Sequence, residues 1–288
     1  MSVPARGAKS RGELLAWLLL IPGAGYIFFF VASAVAVTVL QSFGLFSIIG
    51  KSRFTFAHWA VLGTREVQDS LLFSLKMGVG SSLGTVLFSL PIALFLRKPD
   101  SSKSTLGSLI KVPLFIPALV AAFLIVNLIS YHGLVNQLLM FLGLVKEPLR
   151  MLNDKQGWGV IVIQVWKNLP FVLLILTASL AGIREDVIDA ARNLGAGRLA
   201  LLRDIYVPLA MPGILVSMIL MFIKAFGDFP ITSVAGPTYP TSLALRMQVT
   251  ATMYQEWNQA AVIGVLIIVT ALLVVAAYSR LAGLLTRE

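Results

Sequence analysis

A few groups of residues in this chain combine type and spacing in ways that could do chemistry. One is the stretch from Glu185 to Pro208 (EDVIDAARNLGAGRLALLRDIYVP), in which Arg192, Arg198 and Arg203 alternate with acids, small residues and glycines. Such a stretch can dock to a partner or rest on charged headgroups. A second group, Lys167, Asn168 and Pro170, lies inside an otherwise apolar run. A charge there is costly unless it faces protein or water, so Lys167 and Asn168 are candidates for lining a transport path. A third group is Lys224 and Asp228, four residues apart, read either as a local salt bridge on one helix face or as a polar lining. His58 and His132 are far apart, and His132 reads as an ordinary residue at the end of an apolar run. Gly50-Lys51-Ser52 has the ending of a phosphate-binding loop, but Leu45 stands where the loop needs glycine. The chain has no HExxH, GxSxG or Walker A pattern, and no cysteine, which excludes disulfides and thiolate chemistry.

The Glu185–Pro208 stretch can be read further from its periodicity. Val187, Ala190, Ala191 and Leu194 recur at spacings of three and four, one face of a helix. Glu185 and Asp186 fall in its first turn, where the dipole favours negative charge. Gly195 follows as a stop, Ala196-Gly197 turns, and Arg198–Tyr206 begins a second helix. Three readings fit that outline. A DNA-binding helix-turn-helix is one, but apolar spans on both sides leave it no freedom to enter a groove. An amphipathic connector on lipid headgroups is another. The third is a knob whose apolar face fills a groove in a cytoplasmic partner.

Asp189-Ala190-Ala191, then Gly195, then Ile205-x-Val207-Pro208 resembles the EAA loop of binding-protein-dependent ABC importer permeases. The family pattern is Glu-Ala-Ala, three residues, Gly, nine residues, Ile-x-Leu-Pro. Every spacing matches; Asp189 replaces the Glu and Val207 the Leu, each keeping its chemical type. The resemblance implies a MetI-like permease fold in which the loop forms a coupling helix fitted into a cleft of the ATPase subunit. It would put Glu185, Asp189, Ala190, Ala191, Arg192, Gly195, Arg198, Ile205 and Pro208 at that contact. It further implies a cytoplasmic ATPase dimer that carries ATP and Mg, a second permease subunit that is homologous but not identical, and an extracellular or periplasmic substrate-binding protein. No cofactor is then expected on this chain, and ATP hydrolysis is expected elsewhere.

The segments VWKNLPFVLLILTASLAGI and FGDFP resemble most the permeases of polyamine, ferric-iron and phosphonate importers. A polyamine is the first expectation for the solute, with iron, phosphonate or sugar as others. Asp228 would suit a cation and Lys167 or Lys224 an anion, so these residues do not choose. A six-helix channel or passive carrier without an ATPase is the alternative, and it would need no docking loop.

These residues must be positioned by membrane helices. Apolar residues make up 58% of the chain and charged residues 12%. Soluble domains have about a quarter charged residues, so this chain has too little polar surface to cover a globule in water. The expected architecture is all-α and polytopic, with membrane lipid around it. Six transmembrane helices are expected over residues 14–39, 69–96, 106–129, 158–181, 212–229 and 260–281, each long enough to cross about 30 Å of hydrocarbon. Residues 1–67 read as an N-terminal tail, a first span and an external loop, and residues 68–285 as the permease core. Residues 134–145 are apolar but too short to cross and read as re-entrant or interfacial; residues 230–258 read as a long external segment. Gly80 and Gly84 form a small-xxx-small pair that admits a neighbouring helix. The net charge of +10 is attributed to Lys and Arg on the cytoplasmic side and not to nucleic acid. That bias favours a bacterial cytoplasmic (inner) membrane protein with both termini, and the Glu185–Pro208 stretch, in the cytoplasm.

Overall fold

The computed structural model describes residues 6–48, 52–97 and 101–285. Gly50-Lys51, Lys98 and Arg287 lie outside these residues. Among the described residues helix is the only regular secondary structure, and six helical runs are long and apolar enough to cross a membrane.

The first helix, α1 (Arg6–Ser42), carries the run Leu19–Ser42. A short 3-10 turn (Ala57–Gly63) leads into α2 (Arg65–Leu96). α3 (Ser101–Ile110) and a 3-10 turn (Val112–Phe115) precede α4 (Ala118–Ile129) and α5 (Leu134–Phe141). Then come α6 (Trp158–Ala181) and the short α7 (Glu185–Asn193). α8 (Arg198–Ala200) runs through a π-helical turn (Leu201–Tyr206) into α9 (Val207–Phe226). α10 (Pro230–Ala235), α11 (Leu243–Thr252) and α12 (Trp257–Leu285) complete the chain.

The body is built around α2, α6 and α9, and small residues on α2 let the other two approach. A Cβ on Gly80 would lie 2.8 Å from Ile161 of α6, one on Gly84 2.9 Å from Val165, and one on Gly78 2.7 Å from Phe222 of α9. Ser70, Ser74, Ser81, Ser82, Thr85 and Ser89 fill the same buried side of α2. Small side chains of this kind are how helices pack closely where lipid offers no hydrophobic drive. The register makes α2 and α6 parallel: Lys76 lies over the Trp158 ring at the start of α6, and Arg97 bonds to carbonyls at its end. α9 runs the other way, with Tyr206 near Arg97 and Phe222 against Gly78. α12 packs on α11, α9 and α1, and Thr38 of α1 lies 3.3 Å from where a Gly264 Cβ would stand.

Three boundaries differ from the sequence reading. The third membrane-length run is Ala118–Phe141, not 106–129. Pro113 and Pro117 break the chain into a 3-10 turn before the run begins, because neither can donate to the preceding turn. Residues 134–141 form a short helix of their own, α5, set off from α4 by the break at 130–133, in keeping with the sequence reading; only length and apolarity join the two into one run. The fifth run begins at Arg198, well before residue 212: α8 and the π turn lead without a break into α9, where Pro208 falls in the first turn and Pro212 lies inside the helix. Residues 230–258, read as a long external segment, fold into two short helices: Ile231 and Ala235 on α10 and Leu243 and Ala251 on α11 are buried.

Candidate functional site: an exposed helix at one end of the bundle

α7 sits where α2 and α6 end and α8–α9 begins, so one short helix meets the ends of three long ones. Its sequence fixes both its termini. Asp186 accepts from Val187 N–H at 3.0 Å and from Arg184 Nε at 3.1 Å, which occupies the positive end of the helix. At the other end Gly195 N–H donates to Arg192 O at 2.9 Å, and Ala196 N–H to Ala191 O at 3.0 Å. This double closure is a Schellman motif, and it needs a left-handed residue at Gly195, whose φ is +88°. Nothing lies within 4 Å of a Cβ placed there, so the glycine is required by conformation and not by space. Arg192 Nη1 pairs with Asp189 Oδ1 at 3.2 Å along the helix surface.

The helix has two faces. Ile188 is fully buried among Leu176, Leu180, Ile183 and Leu201, with Ala191 and Ile205 packed on the same cluster. Val187, Ala190, Leu194 and Leu199 face outward, Leu194 at 90% and Leu199 at 76% exposure. The periodicity had grouped Val187, Ala190, Ala191 and Leu194; the structure turns Ala191 inward beside Ile188 and leaves the other three outside. Glu185, Asp189, Arg192, Arg198 and Pro208 are exposed as well. Apolar side chains this exposed beside charged ones, on a short helix at the end of the bundle, make a surface fit for docking another protein.

Arg97, which the sequence alone does not single out, belongs to this site as well. Its side chain is 7% exposed. Nε donates to Leu180 O at 3.2 Å and Nη2 to Ile183 O at 2.6 Å, capping α6. Nη1 pairs with Glu185 Oε1 at 3.0 Å, and the guanidinium lies 5.4 Å from the Tyr206 ring centre. The partners are 83 or more residues away in the chain, so no local pattern marks them.

Of the four path candidates, Lys167 and Asn168 are buried in the bundle, Asp228 is half-buried and Lys224 is exposed; the expected Lys224–Asp228 pair does not form. Lys167 is buried, and its ammonium donates to the Pro113 carbonyl, which also accepts from Ile116 N–H at 3.3 Å in the turn before α4. Asn168 is buried and donates to Gln164 O at 2.8 Å and Gln164 Oε1 at 3.0 Å, which leaves its own Oδ1 and Gln164 Nε2 without a partner. Lys224 and Asp228 do not share a helix face, because α9 ends at Phe226 and the chain turns at Gly227. Asp228 instead caps α10, accepting from Ile231 N–H at 2.9 Å and Thr232 N–H at 3.0 Å. Lys224 lies 5.6 Å from the Phe171 ring centre, and no ion pair joins it to Asp228 among the described residues. Nor do the described residues hold a cluster of His, Asp and Glu fit for a metal.

Comparison with known proteins agrees with this geometry. The permease PotB of the spermidine/putrescine transport system of Salmonella typhimurium (strain SL1344) is 27% identical over 239 residues, 83% of each chain. The molybdenum transport system permease ModB of Azotobacter vinelandii is 32% identical over 164 residues, 56% of this chain and 70% of that one. Among solved structures, a chain of a bacterial alginate ABC transporter in complex with an alginate pentasaccharide-bound periplasmic protein superposes with a TM-score of 0.78. It is 18% identical and covers 98% of both chains. A chain of the inward-facing MetNI methionine ABC transporter gives 0.59 at 17% identity, over 77% of this chain and 96% of that one. The profile of the binding-protein-dependent transport system inner membrane components matches residues 80–287, which include α7 and all four path candidates. The chain belongs to that family, the membrane permease subunits of ABC importers.

Proposed function

We propose that this permease carries a polyamine across a bacterial cytoplasmic membrane, driven by a separate ATPase subunit whose stroke enters through α7. The observation that supports the drive is the outward face of α7, with Val187, Leu194 and Leu199 exposed on a helix whose other face is locked by Ile188. A rigid short helix transmits displacement; a loop would dissipate it. ATP binding and hydrolysis on the partner would move α7, and α6 and α9, attached at its two ends, would tilt and change which side of the path is open. That requires contacts that differ between the two states.

The solute reading rests on the similarity to the spermidine/putrescine permease over most of both chains. The other subunits follow from the family: a homologous second permease to complete the path, an ATPase dimer carrying ATP and Mg, and an external binding protein that delivers the solute. Both termini, and α7, lie in the cytoplasm in this reading, as the distribution of Lys and Arg favours.

The test is uptake into cells that express the whole operon-encoded system and lack other polyamine importers. Labelled spermidine accumulates against its gradient and stops when the ATPase carries a Walker A lysine substitution. Accumulation of molybdate or maltose and not spermidine contradicts the solute; spermidine entry that survives loss of the ATPase contradicts the drive and favours a passive carrier.

A further inference from the structure

The structure assigns to Arg97 the role of a latch that joins the driven helix to three spans, so that they move together. This rests on the reading of α7 as the point where the ATPase acts. Arg97 closes α2, and its guanidinium reaches α6, α7 and the base of α9. It bonds the carbonyls of Leu180 and Ile183 at the end of α6, pairs with Glu185 at the start of α7, and lies over Tyr206 at the base of α9. The planar fork suits this: its donors point along separate fixed directions, so one group can hold several partners at set angles. A lysine ammonium in the same place would keep the charge and lose the geometry.

Two features make this more than a cap. Glu185 is half exposed while Arg97 is buried, so the ion pair sits at the boundary between the body and the surface that a partner covers. And the element that Arg97 touches on the far side is not plain helix. Tyr206 ends a π-helical turn, Leu201–Tyr206, and such wide turns often mark functional sites. Ile188 ties α7 to the body by apolar packing, which fixes depth better than it fixes angle.

The experiment uses the whole complex, purified with its ATPase and partner permease. The chain has no cysteine, so Asn193→Cys on α7 and Phe88→Cys on α2 can be labelled with nitroxides without a background from this subunit. The distance between them is measured by pulsed electron resonance without nucleotide and after trapping with ATP and vanadate, with no transported solute required. With Arg97 present the distance keeps one narrow distribution in both states. Arg97→Ala and Arg97→Lys both broaden it at least twofold, and ATPase stimulation by the binding protein loaded with spermidine falls about five- to tenfold while the ATPase still co-purifies. Glu185→Gln gives a smaller broadening, because the carbonyl bonds remain.

The proposal is overturned if both Arg97 variants keep the narrow distribution and wild-type stimulation. It is equally overturned if both lose the ATPase or fail to assemble, since the contact is then only structural. An intact chain that never holds an ATPase refutes the importer reading itself, and that result is distinct from either outcome.

Discussion

At Gly195 the chain takes a φ of +88° with open space around the missing Cβ. An L-residue there costs about 1–2 kcal/mol from its own backbone, and the double closure onto Ala191 and Arg192 loosens. Gly195→Ala should therefore lower ATPase association measured by co-purification, and Gly195→Asp, which adds a charge at the docking edge, should lower it further; full association and coupled uptake in Gly195→Asp would refute this role. Ile188 and Leu194 separate the two faces of the same helix. Ile188→Ala removes a fully buried side chain and should destabilise the detergent-solubilised protein by about 2–4 kcal/mol. Leu194→Ala should leave its unfolding midpoint unchanged and weaken only the complex. Gly195 was legible in advance because a glycine after a helical run has one common use. The split between Ile188 and Val187 was not, since both are apolar and adjacent, and only the body beneath α7 decides which one turns inward. Arg97 was illegible for a related reason: beside Lys98 it looks like any positive residue at a span end, and its partners come from distant helices.

Among the elements, the long helices were readable because length and apolarity suffice to mark them. Their ends were harder. The apolar pattern places the start of α9 at residue 212, yet the run starts at Arg198 through a π turn with i→i+5 hydrogen bonds, and no propensity marks such a turn. α10 and α11 are short, and their buried sides exist only because α2, α4 and α12 lie against them. The Gly80/Gly84 pair was readable as a close contact but not its partner, which is α6. Gly84→Leu should force α2 from Val165 and lower stability by about 1–3 kcal/mol, read by denaturant unfolding in detergent. At the opposite end of the bundle from α7, the Tyr239 hydroxyl donates to the Asp69 carboxylate at the start of α2, and this raises the Tyr239 pKa above the usual tyrosine value near 10. A raised value means the bond is fully present below the ordinary tyrosine range and is lost as pH rises through the shifted value. Difference absorbance against Tyr239→Phe should show Tyr239 ionising late, and Asp69→Asn should bring it down; an unshifted titration would contradict the bond.

For the molecule as a whole, the chain is a set of parallel and antiparallel rods around α2, with a short exposed helix, α7, at one end. The bundle carries no nucleotide motif of its own, yet it ends in an exposed, doubly capped helix joined to three spans. That combination is what a driven permease requires and what a passive carrier has no use for. The most direct check is site-specific photo-crosslinking in the assembled complex in membranes. A photoreactive residue replacing Leu194 or Val187 should capture the ATPase subunit, and one replacing Ile188 should react only within this chain. Capture of the external binding protein from Leu194, or labelling of that position by a membrane-impermeant reagent added outside intact cells, would put α7 on the wrong side and contradict the account.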